Sequence, residues 1–165
     1  MNSRENISMR GQFIIEARDA HTGELIKCWH IDNTLMNINQ EVRTKMLLGS
    51  YTGGNNALAI RYFAFGTGEN SGENTPSPED TKLVNEVYRK QVTQITSPSA
   101  GVVQSVVSLG SQEANYNLTE IGVFCGDAAV ETENSGTLIS RIAFNFQKNT
   151  NVVLNIIRTD TCVIS

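Results

Sequence analysis

Four charged side chains, Glu86, Arg89, Glu120 and Arg141, stand in segments otherwise suited to a core, and they are the groups of this chain best placed to do chemistry. Glu120 is the sharpest case, lying between Leu118 and the run Ile121-Gly122-Val123-Phe124. A carboxylate in an apolar strand is costly to bury unless a cation meets it, so the pattern predicts an arginine partner, Arg89 or Arg141. The catalytic alternative is a glycosidase-type acid/base pair, for which the sequence offers no accompanying set of cleft residues. Gly66-Thr67-Gly68 with Gly72 has the look of a phosphate-binding loop. The glycines run into Asn-Ser-Gly-Glu-Asn-Thr-Pro-Ser-Pro, which cannot open a helix on a phosphate, and no Lys-Ser/Thr follows, so the segment reads as a turn. His21 and His30 have no Cys, Asp or Glu at ligand spacing, and Cys28, Cys125 and Cys162 form no Cys-x-x-Cys pair. No metal site, cofactor site or catalytic set is expected.

The elements that must position these residues are mostly strands. Gln12 to Arg18 and Glu24 to Trp29 read as a hairpin around Asp19-Ala20-His21-Thr22-Gly23, with Gly23 taking the positive φ the loop needs. From Asn33 the period changes: Leu35, Ile38, Val42 and Met46 fall at helical spacing, with Asn37 or Asn39 as cap and Gly49 as stop, which predicts a helix of about three turns. Ala57 to Phe65 reads as a buried strand, and 66–78 as an exposed loop. Beyond it, Arg89 to Thr96, with Val92 and Ile95 inward, Gly101 to Leu109, Thr119 to Cys125, Thr137 to Phe146 and Val152 to Ile157 all read as strands. Strands of this length between turn signals predict a mainly β fold, an antiparallel β-sandwich with an N-terminal hairpin and one short helix. The expected organisation is a flexible polar arm over 1–11 and a single domain over 12–165.

The 165 residues, 39% hydrophobic and 18% charged, fit one globular domain. Thirteen basic residues against 17 acidic ones give a net charge of -4 with no basic stripe, which argues against nucleic acid as a partner. The odd, widely spaced cysteines fit synthesis in a reducing cytoplasm. No run approaches the ~20 apolar residues of a membrane helix, and the first ten residues lack a signal core.

Three blocks carry a further signal: Phe63-Ala64-Phe65-Gly66-Thr67-Gly68, Leu83-Val84-Asn85-Glu86-Val87-Tyr88-Arg89 and Leu118-Thr119-Glu120-Ile121-Gly122-Val123-Phe124. In order and spacing, with the Pro-containing loop between the first two, they resemble a family of bacteriophage tail-associated structural proteins. Gly136-Thr137-Leu138-Ile139-Ser140-Arg141 is similar to that family's Gly-x-Leu-x-x-Arg strand, Asn33 to Asn37 to its entry to the helix, and Asn151 to Ile157 to its closing strand. The chain departs from the pattern at Ile38-Asn39, where the family often has Gly, and in the long loop from Asp127 to Ser135.

The resemblance implies a virion structural protein, a connector or attachment module of a tail fibre, baseplate or collar, assembled in the host cytoplasm. It gives Gly66, Gly68, Glu86, Arg89, Glu120, Gly122 and Arg141 structural roles. The partners it implies are other phage virion proteins and further copies of the chain as a homo-oligomer, with neither nucleic acid nor membrane, and no enzymatic activity is expected. The N-terminal arm is a candidate docking segment. Two other readings compete: a capsid decoration or head-fibre protein, and a carbohydrate-binding receptor module, which would favour exposed aromatic platforms although Trp29 is the single tryptophan.

Overall fold

The computed structural model describes residues 7–41, 58–69 and 72–164. Within these residues ten strands form two five-stranded antiparallel sheets. The first has the order β2 (Leu25–Asp32), β1 (Ile7–Asp19), β10 (Val152–Ile164), β7 (Val102–Leu109), β6 (Gln94–Ser99). The second runs β3 (Thr34–Leu35), β9 (Thr137–Gln147), β8 (Asn117–Cys125), β4 (Ile60–Gly66), β5 (Glu86–Gln91). The chain changes sheet after β2, β5, β7 and β9, which makes the fold the expected β-sandwich.

Period-2 alternation puts one side of each strand into the shared core. Phe13, Ile15 and Ala17 of β1 and Leu154 and Ile156 of β10 meet Phe63 and Phe65 of β4 and Ile121 and Val123 of β8. Phe13 and Phe63 touch edge to face with centroids 6.0 Å apart, and Trp29 packs the same way, at 5.1 Å, on both Phe144 and Phe146. The hairpin turn follows its sequence: Gly23 has φ +74°, and the Asp19 carboxylate accepts from the backbone N–H of His21 and Thr22.

The second sheet is covered on its other side as well. Met36, Ala64, Leu83, Phe124, Ala129 and Leu138 form a separate buried cluster there, contributed by strands and by the loops that cross them. This explains why β8 is buried almost throughout instead of alternating.

Several expectations need correction. Residues 7–11, expected to belong to a flexible arm over 1–11, are the start of β1 and pair with the far end of β10; residues 1–6 lie outside the described residues. The polar composition near Arg10 hides this strand, whose pairing extends past the apolar core. Arg89 to Thr96 is two strands in different sheets: the Val92 N–H still bonds to Arg61 O in the second sheet, and the Thr93 N–H already bonds to Val106 O in the first. Alternation continues through such a corner and cannot reveal it. Of the expected helix, 38–41 are helical, while Leu35 belongs to β3, where pairing with Ser140 overrides its helical spacing. Val42, Met46 and Gly49 lie outside the described residues. Asn37 O accepts from the N–H groups of Gln40 and Glu41 at the helix start, and Asn39 turns its amide inward to Met36 O and Ile139 O.

Candidate functional site

The three blocks meet on the outer face of the second sheet. A register irregularity between Leu118 and Glu120 in the β8–β9 pairing changes the phase of β8, so Leu118 faces the sandwich core and Glu120 the opposite side. Register then lays out two neighbouring rows. In one, Glu86 of β5 pairs with Gly66 of β4, which pairs with Glu120 of β8. In the next, Arg89 pairs with Ala64, Ala64 with Gly122, and Gly122 with Arg141 of β9. Glu120 thus has Arg141 diagonally across from it, Glu86 has Arg89 three residues further along the same strand, and small residues line the trough between.

The segment Leu83–Asn85 lies in that trough. Leu83 fills the space over Gly122, where a Cβ would fall 2.7 Å from Leu83 Cδ2 and 3.0 Å from Leu138 Cδ1. Glu120 fastens the segment: Oε1 accepts from the Asn85 N–H at 2.9 Å, and Oε2 from the Val84 N–H at 3.1 Å and from Arg141 Nε at 2.9 Å. Gly66 and Gly68 let this carboxylate approach the backbone. A Cβ at Gly66 would lie 2.6 Å from Glu120 Cγ and 2.7 Å from Asn85 O, and one at Gly68 would lie 2.7 Å from Glu120 Oε1. Between them, Thr67 receives the Asn85 side-chain amide on Oγ1 and donates its own N–H to Asn85 O. The Gly-Thr-Gly turn is therefore a seat for a buried carboxylate and a crossing loop segment, which is the physical reason for its glycines.

Arg141, 2% exposed, carries the tie further into the loop: Nη1 reaches Asp80 Oδ2 at 2.7 Å and Nη2 donates to Asn74 O at 2.9 Å. Asp80 in turn caps its own turn by accepting from the Ser77 N–H. On the other flank Arg89 holds Glu86 through two nitrogens, Nε to Oε1 at 2.6 Å and Nη2 to Oε2 at 3.0 Å. Its Nη1 donates to Val130 O and Ser135 Oγ, and its plane lies 4.8 Å above the Phe124 ring. Glu86 Oε2 also accepts from the N–H of Asn134, a residue with φ +52°, whose side-chain oxygen receives the Leu83 N–H. The long loop after Gly126 is tied down by this second pair.

Of the two arginines expected for Glu120, Arg141 reaches it; Arg89 belongs to Glu86. All seven residues singled out in the sequence fall in this network. Sequence reasoning missed Asp80 and Asn134, whose loop positions carry no periodic signal. Both oxygens of Glu86 and of Glu120 are occupied by N–H donors, and Glu120 is fully buried. An acid/base catalyst needs a carboxyl within reach of a substrate proton. Here the arrangement holds loops to a sheet.

A second polar node closes one end of the sandwich. Lys148, fully buried, donates from Nζ to Gly110 O and Asn115 Oδ1, and burial pulls its pKa down. Nearby, Glu113 accepts from Lys90, Tyr88 and the Gly110 N–H. Burial pushes the Tyr88 hydroxyl up to about 12, helped by its bond to Glu113, and pushes the core thiol of Cys125 up to about 12 as well. Among the described residues there is no group of three His, Cys, Asp or Glu that could hold a metal ion, and no helix long and apolar enough to cross a membrane.

No curated protein and no solved structure is significantly similar to the chain. A family model does match: that of the N-terminal part of the phage tail-collar fibre protein, over residues 44–131. The match spans more than half of the sequence and contains all three blocks whose side chains build the clasp around Leu83–Asn85. The chain belongs to the phage tail-collar fibre protein family and is a structural component of the phage tail.

Proposed function

We propose that this domain is the connector or attachment module of a tail fibre, collar or baseplate, a rigid adaptor that binds neighbouring virion proteins and further copies of itself. The observation that carries the reading is the clasp: the residues shared by the family blocks are used to immobilise loops on a sheet, and rigid presentation of loops is what a load-transmitting connector requires. The edges of the first sheet fit the same role. Strand β2 exposes Leu25 and Ile26, strand β6 exposes Ile95, and an open strand edge is a template for pairing with a neighbouring chain. The adaptor works without catalysis, nucleic acid or membrane, and is incorporated during assembly in the host cytoplasm. A capsid position is disfavoured by the tail family match, and a glycan platform by Trp29, which is spent on packing against Phe144 and Phe146.

The test is to make particles from a genome lacking this gene and to image them. Intact heads and tail tubes without attached fibres are expected, with the protein found by mass spectrometry in purified tails of the parent phage. Its absence from purified virions, or its location on heads, would reject the proposal. Removing residues 1–6 separately tests the docking segment, since that truncation spares the β1–β10 pairing.

A further inference from the structure

The end of the sandwich away from Lys148 contains a cavity of about 460 Å³ that none of the clasp's polar side chains lines. Its walls are largely apolar, with Met9, Ile60, Ile95, Val103 and Ile139 among them, and Arg158 lines it too. The alternation of β10 puts Arg158 on the core face after Leu154 and Ile156, where a leucine would pack without cost. The side chain is 1% exposed and lies against the Phe13 ring at 6.0 Å. Asp160 Oδ1 takes one N–H from Nη2 at 2.7 Å, but Nε and Nη1 are buried without any acceptor among the described residues. Directly across the β7–β10 pairing, the fully buried Ser105 hydroxyl also lacks a partner among the described residues.

A buried guanidinium with two empty donors is expensive, and buried polar groups of this kind are satisfied by water or by a ligand. We propose that the cavity is a binding site for an apolar chain ending in a carboxylate, with the anionic oxygens on Arg158 and the hydrocarbon against the apolar wall. The volume lies within the usual range of small-molecule sites, roughly 300–1,000 Å³. A carboxylate matches the missing acceptors with charge-assisted bonds, and a glycan would leave most of its hydroxyls facing apolar side chains. Two sources share this chemistry: a free aliphatic acid, and the C-terminal carboxylate of an apolar peptide from a neighbouring protein. The site is independent of the connector reading, since it rests on the cavity and Arg158 alone.

The experiment is calorimetric titration of the full-length protein with decanoate, with decanol, and with an apolar tripeptide as free acid and as amide. Decanoate or the tripeptide acid is expected to saturate, the uncharged counterpart binding roughly tenfold or more weakly, as loss of a charge-assisted bond implies. Tighter binding of decanoate identifies the aliphatic acid as the source, and tighter binding of the tripeptide acid identifies the polypeptide terminus. Arg158→Met should abolish the preference for the acid. Val103→Trp, at a half-exposed wall position, should fill the cavity and reduce binding of every probe while the fold remains intact by circular dichroism. Failure of both acids to saturate at millimolar concentration, or equal binding of acid and uncharged counterpart, would overturn the proposal.

Discussion

Replacing Glu120 tests whether the clasp carries the stability assigned to it. Glu120→Ala removes three hydrogen bonds at once and leaves the Val84 and Asn85 N–H groups and Arg141 Nε facing one another across an empty space. Arg141 keeps Asp80 and Asn74 O, so the stranded charge is only partly unpaired. Breaking a buried pair from one side costs about 3–5 kcal/mol, and that range is the expectation for alanine. Glu120→Gln is milder. Its single oxygen can keep the Oε2 position, with both the Val84 N–H and Arg141, but its amide nitrogen then meets the Asn85 N–H donor to donor. One bond is lost and one donor left unsatisfied, for about 1–3 kcal/mol. Equilibrium urea unfolding with an unchanged m-value measures both, and native-state hydrogen exchange should show the Val84 and Asn85 amides losing protection first. The double variant with Arg141→Met should recover part of the loss, because it removes the stranded charge. An alanine variant within 0.5 kcal/mol of the parent, or unchanged exchange at Val84 and Asn85, would refute the reasoning.

Gly68→Ala should cost about 1–3 kcal/mol in the same unfolding assay, since the added methyl overlaps both Val84 and Glu120 Oε1. Arg89→Lys keeps the charge but not the two-nitrogen grip on Glu86, and should cost about 2–4 kcal/mol and raise proteolytic cutting within 126–136, which limited proteolysis reads directly. Stability should fall from about pH 9 towards pH 12 in a series of denaturant titrations, because Cys125 and Tyr88 have folded pKa values raised to about 12; the stabilisation is complete below their unfolded values and lost as pH rises through the folded ones. Lys148, whose pKa burial lowers, acts in the opposite sense, so the alkaline fall should steepen in Lys148→Met, and a flat profile in that variant would contradict the assignment.

Most of the strands are legible in the sequence because one or both faces of each are apolar, and the period-2 pattern survives whatever the strands pair with. The need of Glu120 for a cation is legible for the same reason: the cost of a carboxylate among Leu118, Ile121, Val123 and Phe124 depends on its neighbours in sequence. The positive φ of Gly23 follows from turn chemistry alone. Even the inward phase of Arg158 could be read from Val152, Leu154 and Ile156, although its two empty nitrogens could not, since they depend on what the opposite sheet fails to supply.

The choice of Arg141 over Arg89 for Glu120 was decided by register, because Arg141 sits diagonally from it across β8–β9 and Arg89 sits two strands away, beside Glu86. Register also decided that Gly66, Gly68 and Gly122 clear a path for Leu83–Asn85, a segment distant from Gly122 in sequence. The passage of the chain from β5 to β6 and the pairing of Leu35 in β3 escaped for a related reason. Local periodicity reports which face of a strand is buried, but the partner and the sheet are set by hydrogen bonds between segments far apart in the chain, and no short window of sequence contains both ends of those bonds.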